Sequence, residues 1–171
     1  VLLYDNGSTL YTASELQSSL RQAFPGILIA VNSWVFPFGP DGGDTDDGRY
    51  MPWDSDYCQI GSMQHARFRF LAKAKSILNV DIDEIVLGND GQSIFEATES
   101  NPLHFTKFEG KWIGTSAHHP VTLDQRRHGD FVLADPKDEE DCPPKWCLVP
   151  NARHKYDWSW THHNLFGAKA N

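Results

Sequence analysis

The sequence predicts an α/β protein: a mixed sheet flanked by helices, with a β-rich second half. Two observations carry this. Apolar, β-branched runs of strand length alternate with helical spacing up to about residue 90, and strand–helix–strand order is the unit of a parallel sheet. Past that point, strand-like stretches follow one another across polar loops with no clear helix between them. A length of 171 residues fits a single domain with a sizeable core, its halves meeting near residue 90.

The elements follow in order. "VLLYDNGST" is a short strand running into a polar turn. "YTASELQSSLRQAF" has Leu16, Leu20 and Phe24 on one helical face; Thr12 with Glu15, or Ser14 with Gln17, offers a capping-box start, and Pro25-Gly26 a stop. "ILIAVNSWV" is the next strand. From Phe36 to Asp56 the chain is rich in Gly, Pro and Asp, a long loop that is either an active-site flap or an acidic insertion. "SMQHARFRFLAKAKS" restores helical spacing, with Met63, Ala66, Phe70, Ala74 and Ile77 on one stripe. "ILNVDIDEIVL" is a strand that ends in acids, expected at the carboxyl edge of a parallel sheet, where open α/β sheets bind ligands. "LHFTKFEGKWIG", "GDFVLA" and "KWCLVP" complete the strands.

A net charge of −8 argues against nucleic acid as a partner, since phosphate backbones select Lys and Arg surfaces. No apolar run is long enough for a transmembrane segment, and no signal-peptide pattern appears. The cysteines, Cys58, Cys142 and Cys147, are odd in number and lack a framework spacing. They are expected to be structural thiols of a cytoplasmic protein, at most peripheral to a membrane, although Cys142-x4-Cys147 is also a weak zinc pattern.

Three constellations could carry chemistry. In "LNVDIDEIVL", Asp81, Asp83 and Glu84 follow an apolar run, and crowding carboxylates is costly unless something positive neutralises them. Residues i and i+2 of an ideal strand point to opposite faces, so Asp81 and Asp83 reach one ion only if the chain turns there. Oxygen ligands suit Mg²⁺ or Mn²⁺ completed by substrate phosphates. In "YDNGST", Asp5 and Asn6 either form an ordinary tight turn or present hydrogen-bonding groups to a nucleobase or ribose. In "WSWTHHN", adjacent His162 and His163 alternate faces if extended, so one of them at most joins a given site.

Together these stretches resemble the nucleotide-sugar glycosyltransferases of the GT-A fold. "LLYDNGST" resembles that family's nucleotide-contacting strand end, and "VDIDEIVL" its D-x-D segment in the Asp-Ile-Asp-Glu form. "FEGKWI", "KWCLVP" and "WTHHN" follow in a similar order, the last matching a Trp-x-His ending at His162. The resemblance implies a Rossmann-like catalytic domain spanning residues 1–171, with a nucleotide-binding half to about 90 and an acceptor- and metal-closing half beyond it. It also implies that the family's first strand would lie before Val1.

The implied reaction transfers a sugar from a nucleotide diphosphate, UDP favoured, to a glycan or lipid-linked acceptor with Mn²⁺ or Mg²⁺. Asp81, Asp83 and His162 would be metal-site residues. Asp81 would reach the ribose or a metal-bound water, Asp5 and Asn6 the nucleoside, and Glu84 would orient the aspartates. Arg67, with His65, either touches the diphosphate or belongs to a solvated helix face. Asp124 and Asp130 are candidates for the base of an inverting enzyme, and the stereochemistry stays open. One departure is Asn6, where many members carry Asp. "VDIDEIVL" also resembles the signature of haloacid-dehalogenase-like phosphohydrolases, although these place it on the first strand. A non-catalytic sugar-binding module is the remaining alternative.

Overall fold

A computed structural model of the chain describes residues 1–36, 43–44, 50–51, 57–88, 91–114, 133–134, 142–152, 159–161, 163 and 165–166. It is a mixed α/β protein with small sheets and three helices among these residues, and it divides into two compact units, Val1–Ala72 and Lys73–Asn171.

The first unit contains β1 (Leu2–Asp5), α1 (Ala13–Ala23), β2 (Ala30–Ser33), β3 (Gly43–Asp44), β4 (Tyr50–Met51) and α2 (Tyr57–Arg69). β1 and β2 pair in parallel, from Leu2 opposite Ala30 to Asp5 opposite Ser33, as the strand–helix–strand order predicts. Of the two possible capping boxes the chain uses the first. The Glu15 N–H donates to Thr12 Oγ1 at 3.2 Å, and the Thr12 N–H donates to Glu15 Oε2 at 2.8 Å. The Thr12 hydroxyl also donates to Glu15 Oε2 at 2.8 Å. The Thr12 N–H and this hydroxyl favour the carboxylate and hold Glu15 below its usual range, so the box stabilises α1 at neutral pH and weakens as acid protonates Glu15.

α1 also seals one edge of this small sheet. Ala30 and Trp34 turn their N–H groups toward β1, so the backbone groups of Ile29 and Val31 face outward. Gln17 Oε1 accepts from the Val31 N–H at 3.0 Å, and Arg21 Nε donates to the Ile29 carbonyl at 2.8 Å. Four residues apart, these side chains lie one turn above the other and occupy polar groups that an edge strand would otherwise offer to another chain.

An aromatic cluster joins β1, the end of β2 and α2. The Trp34 ring meets Tyr4 edge-on at 5.3 Å, Phe36 at 4.6 Å and His65 at 5.2 Å, and its Nε1–H donates to the Cys58 carbonyl. Tyr4 Oη and His65 Nδ1 share a hydrogen bond at 2.8 Å. Partial burial pushes the Tyr4 phenol up from 10.0 to about 12. The unfolded chain therefore releases this proton first. Tyr4 contributes stability that is complete below pH 10 and lost as pH rises toward 12. Melting temperatures across that range should fall less steeply in Tyr4→Phe than in the wild type; equal slopes would remove Tyr4 from the alkaline transition.

α2 begins and ends earlier than the apolar stripe implies. It closes at Arg69, a single 3-10 turn spans Leu71–Lys73, and Ile77 belongs to a strand. Sheet pairing overrides helical spacing there, because Ile77 opposite Leu148 is 7% exposed. β3 and β4 form a two-residue antiparallel pair inside the long Gly/Asp-rich segment.

The second unit contains β5 (Ile77–Asn79), α3 (Ile94–Ser100), β6 (Phe105–Phe108), β7 (Ile113–Gly114), β8 (Leu133–Ala134), β9 (Lys145–Leu148), β10 (Ser159–Trp160) and β11 (Leu165–Phe166). β9 is the middle strand of a three-stranded sheet, antiparallel to β5 on one side and β6 on the other. The expectation that the acid-bearing strand is parallel is thus corrected: its described partner is the returning β9. All four residues of β9 are buried. Trp146 packs on Trp160 at 5.7 Å and donates from Nε1 to the Thr161 carbonyl at 2.9 Å. On the alternate face, Thr98 of α3 bonds Thr106 at 2.9 Å, and Thr106 stands opposite Cys147.

α3 corrects the expectation of a second half without helices. Its Ser93–Glu96 capping box matches that of α1, but a seven-residue helix leaves too short a period to stand out. The three cysteines are free thiols. Burial pushes the Cys147 thiol up, and Cys142 lies so close to Gly110 that a side chain on that glycine would meet its sulfur.

Candidate functional site

The strand β5 ends at Asn79, and the chain then turns. The Glu84 N–H donates to the Asp81 carbonyl at 3.2 Å, closing a turn over Ile82 and Asp83. The Glu84 side chain reaches back, its Oε2 accepting from the Asp81 N–H at 2.8 Å. The chain thus turns at the strand end, the condition under which Asp81 and Asp83 could reach one ion. The turn gathers Asp81 and Glu84 at its base and leaves Asp83 exposed near its tip.

The crowded carboxylates are met by a lysine that the sequence reading did not single out. Lys145 Nζ lies 2.6 Å from Asp81 Oδ2 and 3.3 Å from Glu84 Oε1. Its side chain is only 4% exposed, against 43% for Asp81 and 31% for Glu84. A buried ammonium is tolerated only with such partners, and the carboxylates are tolerated together because of it. The register explains the meeting: Asn79 lies opposite Trp146, so the chain leaving β5 passes beside the start of β9. The signal was the odd position of a lysine in the apolar run "KWCLV".

The tail returns to the same end of this sheet. His163 Nδ1–H donates to the carbonyl of Pro144, the residue before Lys145, at 3.2 Å. A neutral imidazole that makes this bond carries its proton on Nδ1. His162, the residue favoured from the Trp-x-His spacing, lies outside the described residues, as do Asp124 and Asp130. Among the described residues no three His, Cys, Asp or Glu side chains converge to hold a metal ion by themselves.

In the first unit, Asp5–Ser8 forms a polar turn with Gly7 at φ +82, a conformation that favours glycine. Asp5 Oδ1 accepts from both the N–H and the hydroxyl of Ser8. The Asn6 amide donates to the carbonyls of Trp34 at 2.5 Å and Phe36 at 2.9 Å, so a nucleobase contact from this side chain would use Oδ1. This gives the departure at Asn6 a physical reason, because an aspartate would set anionic oxygens against two carbonyl oxygens. Asn6→Asp is expected to lose about 1–3 kcal/mol, the cost of polar groups deprived of their donor. Chemical denaturation measures it, and a neutral result would mean that these bonds do not secure the 34–36 segment.

Arg67 and His65 are not on a solvated helix face. Arg67 is 6% exposed and its guanidinium lies 5.0 Å over the Phe68 ring, while His65 belongs to the aromatic cluster. No helix among the described residues is long and apolar enough to cross a membrane. No known protein family, curated protein or solved structure matches the chain.

Proposed function

We propose that the chain is a metal-dependent glycosyltransferase of the GT-A type. It would move a sugar from a nucleotide diphosphate, UDP favoured, to a hydroxyl of a glycan or lipid-linked acceptor. The observation that carries this reading is the closed Asp81–Glu84 turn at the end of β5, with Asp83 outward. Asp81, Asp83 and Glu84 are oxygen donors of the kind that hold Mg²⁺ or Mn²⁺, and Lys145 neutralises part of the charge of Asp81 and Glu84. A turn with a single outward carboxylate fits Mn²⁺ or Mg²⁺, ions that take most of their shell from water and phosphate.

When bound, the ion would supply Lewis-acid stabilisation of the departing diphosphate. Asp83 would hold it, with His162 or His163 from the tail as an additional ligand. Asp81 would orient toward the ribose or a metal-bound water, and Glu84 would keep the turn closed. Asp5, the Oδ1 of Asn6 and Arg67 are proposed for the nucleoside and diphosphate, and Asp124 or Asp130 for proton removal from the acceptor.

Incubation with Mn²⁺ and a panel of nucleotide sugars tests the reading. Release of nucleoside diphosphate, lost in Asp83→Ala, is the expected result. Release of phosphate from phosphomonoesters without any nucleoside diphosphate would instead identify a phosphohydrolase and overturn it.

A further inference from the structure

Of the asparagines in the chain, Asn6 alone precedes a glycine. That dipeptide is the one most open to spontaneous deamidation, because no Cβ on the second residue keeps its backbone nitrogen from the asparagine side chain. Both residues are exposed, Gly7 sits at φ +82, and its N–H donates to no acceptor among the described residues. The attacking nitrogen is thus unengaged. The departing nitrogen is held: Asn6 Nδ2 donates to the carbonyls of Trp34 at 2.5 Å and Phe36 at 2.9 Å, with Cys58 Sγ at 3.3 Å.

We propose that Asn6–Gly7 is a deamidation site which the folded first unit holds in check, and whose conversion releases the Trp34–Phe36 segment irreversibly. The step needs only water. The Gly7 nitrogen gives up its proton and bonds to Asn6 Cγ, the Cγ–Nδ2 bond breaks, and ammonia departs. Water then opens the succinimide ring, leaving aspartate when it adds at Cγ and isoaspartate when it adds at the Asn6 backbone carbonyl. Ammonia cannot depart while its nitrogen bridges two carbonyls, so the reaction waits on a local opening that breaks those bonds. Leaving such polar groups unsatisfied slows it by about fivefold or more.

Either product is a carboxylate set against the Trp34 and Phe36 carbonyls, which have lost their donor. It also stands beside Asp5, whose Oδ1 is already committed to Ser8. Isoaspartate moreover adds a backbone methylene to the turn after β1. Neither product can remake the bonds to 34–36, so the opening becomes permanent. The change reaches the aromatic cluster through Trp34, whose ring packs on Tyr4 and His65. None of this requires a nucleotide or a metal.

Incubation of the full chain in mildly alkaline buffer, folded and in urea, followed by peptide mass spectrometry, tests this. In urea Asn6 is expected to convert ahead of every other asparagine. In the folded chain its conversion should be slower by about fivefold or more. Hydrogen exchange reads the consequence: the 34–36 amides should exchange faster by a similar factor in Asn6→Asp, which has the side chain of one product. Conversion in urea no faster than at Asn32 or Asn79 would overturn the site assignment. Equal rates in the folded and unfolded chain would overturn the check, and unchanged exchange at 34–36 the release. Should Asn6→Asp not fold, exchange is read on the aged wild-type chain, its converted fraction separated by the added negative charge.

Discussion

Trp146→Ala is expected to destabilise the second unit by about 3–5 kcal/mol, the usual range for removing a buried aromatic side chain. Trp146 is 2% exposed in the middle strand, packs on Trp160, and ties the tail to the sheet through the Thr161 carbonyl. Its loss would open a cavity under β10 and leave that carbonyl without its donor. The effect should centre on the sheet that holds Trp146. Hydrogen exchange at the β9 amides is the suitable measurement: protection should collapse there while β1 and β2 keep theirs. Intact protection at Cys147 and Leu148 would show that Trp146 is not the keystone of this core.

The second large effect separates two neighbouring aspartates. Asp81→Ala removes one of two carboxylates from a buried ammonium. Breaking a fully buried pair costs about 3–5 kcal/mol, and the half-exposed Asp81 with Glu84 still in place brings this down to about 2 kcal/mol. Asp83→Ala removes an exposed side chain and should leave apo stability within about 0.5 kcal/mol. Ligand adds a second effect at Asp83. Mn²⁺ and UDP at a hundredfold excess over their dissociation constant stabilise the wild type by about 2.7 kcal/mol, and Asp83→Ala should lose that shift entirely. Thermal melts with and without Mn²⁺–UDP give all of these values. A full ligand shift in Asp83→Ala would exclude Asp83 from the site.

Local signals were legible where short-range chemistry decides the structure. Thr12-x-x-Glu15 starts a helix because two side chains satisfy each other's orphan N–H groups, and Ala30–Ser33 pairs with β1 because the intervening helix is long enough for a parallel crossover. The turn at Asp81–Glu84 was expected only if both aspartates reach one ion, and a short-range i,i+3 hydrogen bond closes it. What the pattern did not give are facts of long-range pairing. Ile77 carries helical spacing but lies in a strand, because Leu148 stands opposite it. β5 was expected beside parallel neighbours, and its described partner comes from a segment 67 residues away even at the Asn79–Trp146 pair. Lys145 was missed for that reason too, since a lysine in an apolar run gains meaning only when the register brings Asp81 to it. The Ser93–Glu96 capping box was present in the sequence, but α3 is too short for its apolar spacing to confirm it.

Calorimetric titration of UDP into the chain, with Mn²⁺ and then with a chelator, tests the central claim most directly, because it asks whether the acidic turn takes a metal-bound nucleoside diphosphate. The account predicts saturable binding with Mn²⁺, loss of that binding on chelation, and the same loss in Asp83→Ala. Binding that ignores the metal, or no binding of UDP or other nucleoside diphosphates in its presence, would contradict it.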